Sequence, residues 1–220
     1  MKKSEKAGYY PILINLQRFN CLVVGGGKVA SRKVVSLLNF NANITVISPR
    51  ISKTILELGR QGKIKIIKKH YSGNIVDNFG VVFCATDNPE INKLVRKDCT
   101  DKGVLLNVAD VPDLCDFIMP ANVIRGDLII SISSQGKAPF YTRKMKEKIE
   151  KLIDPIYEEI LQLAGEFREK VLDNDKLDSK EKARIFRFFA SKDWENILKT
   201  NGSKNLTKYI NNSLKEFNSL

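Results

Sequence analysis

At 220 residues the chain has room for one full α/β domain and a smaller appendage. Apolar residues make up 43% and charged residues 28%, a balance that excludes a disordered chain, and no apolar run approaches the roughly 20 residues of a spanning helix. The formal net charge of +12 attracts polyanions in general (nucleic acid, acidic membranes or polycarboxylate metabolites) without choosing among them.

The chain starts basic, but its apolar stretch is short and has no small-residue cleavage site, so a cytoplasmic location is expected. Short β-branched runs at residues 12–16, 21–24, 44–47, 64–67, 81–85 and 104–108 then predict six strands. Between the second and third runs, Ala30, Val34, Leu37 and Leu38 recur at helical spacing. Asn88-Pro89-Glu90 reads as a capped helix start, and that helix turns Ile91, Leu94 and Val95 inward. Strands alternating with helices in this way predict a parallel sheet with crossover helices. After Val108 the pattern changes to two further strands, at 117–121 and 128–133, joined by a turn through Arg125-Gly126-Asp127. From Lys137 onward the pattern is helical, with breaks near Pro155, at 173–178 and near Asn201-Gly202. The expected fold class is α/β: a Rossmann-like parallel sheet, a short two-stranded element and an all-helical C-terminal part.

Cys21, Cys84, Cys99 and Cys115 form no CxxC pair, and the first two fall inside apolar runs where a reduced thiol acts as a small hydrophobe. With a single histidine, His70, no metal site is expected.

The informative run is Cys21-Leu22-Val23-Val24-Gly25-Gly26-Gly27-Lys28-Val29-Ala30, a GxGxxA loop between a buried strand and an amphipathic helix. Gly25 permits the tight turn, Gly27 lets the backbone approach a pyrophosphate, and Ala30 lets the helix pack closely on the sheet. The helix N-terminus offers free N–H groups to the phosphates. The next strand ends in Ile47-Ser48-Pro49-Arg50, where NAD proteins usually carry Asp or Glu for the ribose hydroxyls. Ser48 can bond a ribose and Arg50 can accommodate a 2′-phosphate, which leaves NADP open beside NAD. Ala85 and Thr86 end the fourth crossover strand at the carboxyl edge. Asn107 either bonds the nicotinamide amide or caps its strand. Cofactor contacts are therefore expected from Gly25, Gly27, Lys28, Val29, Ser48, Pro49, Arg50, Ala85, Thr86 and Asn107.

Two later blocks are equally distinctive: Asn107-Val108-Ala109-Asp110-Val111-Pro112 through Phe117-Ile118-Met119-Pro120-Ala121, and Ser131-Ile132-Ser133-Ser134-Gln135-Gly136-Lys137-Ala138-Pro139. Together with the glycine loop, and in the same order, they resemble the precorrin-2 dehydrogenase family, which includes the N-terminal module of siroheme synthase. The resemblance runs from about residue 10 to residue 153. It implies oxidation of precorrin-2 to sirohydrochlorin with NAD, with ferrous iron inserted afterwards by some members to give siroheme. It further implies a homodimer that shares contacts through the short strands, Asp110 as the catalytic carboxylate, and Ser134 as a position phosphorylated in some relatives. The implied division is a dinucleotide-binding domain at 1–117, a dimerisation element at 118–152 and a helical domain at 153–220.

The residues agree with that assignment. Asp110 follows the last parallel strand on the carboxyl edge, where a carboxylate can take a proton as hydride leaves. Asp113 and Asp116 read as turn and surface residues. Arg125, Ser134, Lys137 and the neighbouring Arg143 are the expected substrate contacts, since the substrate carries many carboxylates. The alternative outside enzymology is a non-catalytic NAD-sensing module, which would have no need of Asp110 within its complete block. Nucleic-acid binding finds no motif in support.

Overall fold

Strand and helix alternate through most of the first half because short β-branched runs are followed by segments with helical spacing, except between β3 and β4, where only a 3-10 turn at Val76–Asn78 intervenes. In the computed structural model, which describes residues 8–202 and 206–218, these become β1 (Asn20–Val24), α1 (Lys28–Leu38), β2 (Asn43–Ile47), α2 (Lys53–Arg60), β3 (Lys65–Ile67), β4 (Val81–Cys84), α3 (Pro89–Lys102) and β5 (Leu105–Val108). All five strands are parallel, in the order β3-β2-β1-β4-β5. The basic first seven residues lie outside the described part.

Successive side chains of a strand point to opposite faces, and a sheet covered on both sides needs both sets to be apolar. On one face Cys21 and Val23 meet Ala30, Val34 and Leu37 of α1 and Ile55 of α2. On the other, Leu22 and Val24 meet Val95 and Cys99 of α3. Each fully buried aliphatic side chain contributes about 1.5–3 kcal/mol. Helix α3 is bounded as its sequence implies: Asn88 accepts from the N–H groups of Glu90 and Ile91, Pro89 holds the first position, and Gly103 closes the end at φ 65°.

Contacts divide the chain into two compact units, residues 1–119 and 120–220. In the second, β6 (Ala121–Arg125) and β7 (Leu128–Ile132) form an antiparallel hairpin closed by Gly126 and Asp127. Five helices follow: α4 (Pro139–Leu152), α5 (Tyr157–Leu172), α6 (Ser179–Ala190), α7 (Trp194–Asn201) and α8 (Leu206–Asn218). Leu163, Phe167, Val171, Ile185, Phe189, Trp194 and Ile210 form their core, with the Phe167 and Phe189 rings stacked at 4.0 Å.

Four expectations need correction. Residues 12–16 are not a strand: Pro11 lacks a donor, Ile12 and Leu13 stay exposed, and the segment ends in a 3-10 turn at Leu16–Arg18. The strand expected at 117–121 lies at Ala121–Arg125 instead, because Pro120 cannot donate to a ladder and Phe117 packs edge-on against Phe83, 5.6 Å between centroids. Helix α2 was not anticipated, although Ser52 caps it by accepting from Ile55 N–H. The helical tail also breaks between α6 and α7, where Asp193 caps the new helix by accepting from Asn196 N–H.

The buried thiols give the fold an alkaline limit. Burial pushes Cys21 up to about 11 and Cys84 and Cys99 up to about 12, from an ordinary value of 9.0. A raised folded-state pKa contributes stability that is complete below pH 9 and is lost as pH rises toward the folded values. The urea midpoint should therefore fall steadily from pH 9 to pH 12, and Cys99→Ala should flatten that slope. An unchanged slope in the variant would mean that other groups drive the loss.

Candidate dinucleotide site

Helix α1 leaves β1 toward one face of the sheet and α3 leaves β4 toward the other, so the carboxyl ends of β1 and β4 flank a crevice. Such a switch point is where ligands of parallel sheets bind. The sequence supplies its floor. Gly25, at φ 121°, lies so close to the next strand that a Cβ would sit 2.4 Å from Ala85 O. A Cβ on Gly26 would sit 2.1 Å from Arg50 O. These two glycines allow the loop to close against the ends of β4 and β2, and Gly26 is a requirement that the GxGxxA pattern left unassigned. At Gly27 a Cβ would meet nothing within 4 Å. Gly27 precedes α1 in extended conformation, and no side chain caps the first N–H groups of the helix. That combination fits a dinucleotide pyrophosphate held on backbone donors.

Around this floor, Lys28 and Arg50 are exposed, Val29, Pro49, Ala85 and Thr86 are half-buried, and Ser48 is buried. The Ser48 hydroxyl donates to Arg50 O at 2.8 Å, which shapes the connection after β2. Thr86 Oγ1 accepts from Asn88 N–H at 3.1 Å and so helps start α3.

The segment after β5 is pinned along that strand. Asp116 N–H donates to Leu106 O, its carboxylate accepts from Leu106 N–H at 2.9 Å, and Arg96 holds its other oxygen at 2.7 Å. Cys115 Sγ accepts from Val108 N–H at 3.1 Å, and burial pushes its thiol pKa up. Ala109 N–H reaches Cys84 O at 2.8 Å. What these bonds leave exposed is Asp110, at φ 61°. A non-glycine residue in the left-handed region is uncommon, though Asp and Asn tolerate it best. Asp116 therefore holds the fold rather than merely facing solvent.

Sequence reasoning missed Lys33. Its ammonium donates to Asn107 Oδ1 at 2.7 Å and to Met119 Sδ at 3.1 Å, and lies 5.3 Å from the Phe83 ring centroid. Burial lowers its pKa from the usual lysine value, opposed by the charges of Cys115 and Asp110. The signal was available: Lys33 occupies the Ala30, Val34, Leu37 stripe at i+3, a position expected to be apolar. It ties the glycine-loop helix to the strand that ends in Asp110. The alternative left open at Asn107 is narrowed as well. Its Oδ1 accepts from Lys33 and its Nδ2 donates to Phe117 O at 3.0 Å, so both ends of the buried amide bind the chain itself.

Arg125, Ser134 and Lys137 lie in the second unit. Arg125 differs from its expected role: it donates to the carbonyls of Ile153, Glu150 and Ile124, clamping the end of α4 against the hairpin. Carbonyls at a helix C-terminus favour such a cation. Ser134 Oγ accepts from Ala138 N–H at 2.9 Å in the turn before α4. Lys137 is exposed, and Arg143 pairs with Glu147 at 3.5 Å on the surface of α4. His70 is also exposed.

Residues 12–121 match the family described as putative NAD(P)-binding. Among curated proteins, the siroheme synthase of Ruthia magnifica subsp. Calyptogena magnifica is 37% identical over 178 residues, 81% of this chain and 37% of the relative. That of Psychrobacter arcticus is 40% identical over 159 residues, 72% of this chain and 29% of the relative. The chain thus spans well under half the length of these curated relatives. Among solved structures, SirC, a precorrin-2 dehydrogenase, superposes with a TM-score of 0.77 at 25% identity, covering 93% of this chain and all of that one.

Proposed function

The chain belongs to the putative NAD(P)-binding family, and we propose that it is a precorrin-2 dehydrogenase that oxidises precorrin-2 to sirohydrochlorin with NAD in siroheme biosynthesis. The observation that carries this reading is the placement of Asp110. It stands exposed at the carboxyl end of β5, joined through Asn107 and Lys33 to the helix that the glycine loop opens. The Gly25–Gly27 backbone and the start of α1 would hold the pyrophosphate of NAD, with Ala85 and Thr86 as the wall beside it, and the bound nicotinamide would supply the hydride acceptor. Asp110 would take the proton released as the hydride departs. Two hydrogens thus leave the substrate, one as hydride and one as a proton. Anaerobic incubation with precorrin-2 and NAD, followed optically, tests the reading: sirohydrochlorin should appear, and its absence would sink it.

Ferrous iron enters this proposal only as a second substrate; among the described residues no group of three or more His, Cys, Asp or Glu side chains could hold a metal ion. No helix of the described residues is long and apolar enough to cross a membrane. The proposed location is the cytoplasm, where NAD and the tetrapyrrole are available.

Residues 1–117 bind the dinucleotide on this reading, 118–152 dimerise and 153–220 form the helical domain. Helix α4 supports the second part, since none of its fourteen residues is buried and Phe140, Tyr141 and Leu152 are 78%, 55% and 77% exposed. Ile124 on the hairpin is exposed as well. A two-stranded hairpin buries too little to stand alone, and an apolar helix face of this kind fits a two-fold interface. Sedimentation at micromolar concentration should show a dimer, which Phe140→Glu together with Leu152→Glu should dissociate. A wild-type monomer would remove the proposal.

A further inference from the structure

The stripe of α1 that faces the sheet asks for an apolar residue at position 33, between Ala30 and Val34, and the chain places a half-buried lysine there. The cost is visible, since burial pushes its pKa below the usual lysine value. Among the described residues no carboxylate offsets that cost in an ion pair. The two acceptors of the ammonium are a neutral amide oxygen, Asn107 Oδ1 at 2.7 Å, and a thioether, Met119 Sδ at 3.1 Å. An apolar side chain would pack beside the Phe83 ring without desolvating a charge. What the cation holds is therefore the informative feature.

Asn107, in β5, and Met119 bracket the segment that carries Asp110. Within it, Leu114 N–H donates to Val111 O at 3.1 Å and Cys115 N–H to Pro112 O at 2.9 Å. Asp116 ties it to Leu106 of β5 and to Arg96 of α3. Those bonds shape the segment and anchor it to β5 and α3. Among the described residues, Lys33 makes the only hydrogen bonds between Asn107, Met119 or the segment they bracket and α1, the helix that the glycine loop opens. One side chain thus sets how the Asp110 segment stands against the cofactor's helix.

We propose that Lys33 is a positioning residue for proton transfer: it clamps both ends of the Asp110 segment to the cofactor-binding helix and so fixes the carboxylate against the reacting carbon. The inference rests on the dehydrogenase reading above and deepens it. Lys33 touches neither substrate nor cofactor in this role and acts through Asn107 and Met119.

The test is steady-state turnover of precorrin-2 with NAD by the full chain carrying Lys33→Met. Methionine keeps an unbranched stem beside Phe83 and loses the ammonium. Displacing a reacting group by about 1 Å can cost a hundredfold in rate, so kcat should fall roughly ten- to hundredfold. KM for precorrin-2 and the calorimetric affinity for NAD should stay within about threefold, since neither ligand loses a contact. The melting temperature should stay within a few degrees, because relief of a buried charge offsets the lost bond to Asn107. Hydrogen exchange of the Leu114 and Cys115 amides should accelerate while that of β1 keeps its wild-type rate. Lys33→Gln, which keeps one neutral donor, should lie between the two in kcat, and is read by the same criteria if Lys33→Met does not fold. A folded variant with kcat within threefold of wild type, or a loss confined to KM, overturns the inference and makes Lys33 a brace or a substrate contact. Loss of the fold in both variants also overturns it, as the mark of a structural role. A wild type that produces no sirohydrochlorin overturns instead the reading on which it rests.

Discussion

Gly27→Val should give a folded protein that has lost NAD binding. The three consecutive glycines have different surroundings, and this separates their effects. A Cβ on Gly25 or Gly26 collides with backbone oxygens, at 2.4 Å with Ala85 and 2.1 Å with Arg50, so substitution there moves the loop itself. At Gly27 φ is −85°, ordinary for any residue, and the space beyond is empty. Valine is a poor residue before a helix, which costs on the order of 1 kcal/mol of stability. Its branched side chain nevertheless fills the volume through which a pyrophosphate would approach the first N–H groups of α1. Ligand binding stabilises the folded state by mass action, by about 2.7 kcal/mol at a hundred times Kd. Wild type should therefore melt several degrees higher with saturating NAD. The variant should melt near the unliganded wild type and show no shift at millimolar NAD. A variant that still shifts as wild type does would move the pyrophosphate away from Gly27.

Much of the first unit was legible because its signals are local. A β-branched run, a glycine turn and a helical stripe are each complete within about ten residues, and β1, α1, β4 and α3 follow from them. The failures share a different cause. Residues 12–16 look like β2 in composition, but whether such a run has a neighbour to pair with is decided by distant chain. Pro120 displaced a strand by four residues because one missing donor outweighs apolar residues on either side. The site shows the same division. That Gly25, Gly27 and the strand-end residues lie together on the carboxyl edge was readable from spacing, whereas the partners of Lys33 and Arg125 were not. A lysine on a helix usually serves the solvated face, and only the path of β5 shows that this one reaches Asn107. Arg125 was expected to meet carboxylates, yet the carbonyls at the end of α4 are acceptors that no sequence pattern displays. Charge was thus the least legible property: the sequence gives its sign, and the fold decides whether it faces a ligand, a neighbour or water.

Asp110→Asn should lower the rate of precorrin-2 oxidation by something like 10²–10⁴, the usual worth of general acid–base catalysis, while NAD affinity and melting temperature stay near wild type. The backbone is the reason to expect an intact variant. Asp110 sits at φ 61°, and asparagine is the other residue that tolerates this region well, so the loop pinned by Cys115 and Asp116 keeps its shape. What changes is one acceptor: an amide takes no proton at neutral pH. Asp113→Asn is the control, exposed in the next turn of the same segment, and should stay within a few-fold of wild type. Asp110→Gly separates geometry from chemistry, because glycine relieves the left-handed strain; it should be at least as stable as wild type and as inactive as the asparagine variant. Normal turnover by Asp110→Asn would remove the carboxylate from the reaction and favour a sensing module. Normal oxidation with loss of iron insertion would assign Asp110 to chelation and make the protein bifunctional. Loss of both would place the two steps on one carboxylate, in the crevice that Gly27 opens and Lys33 braces.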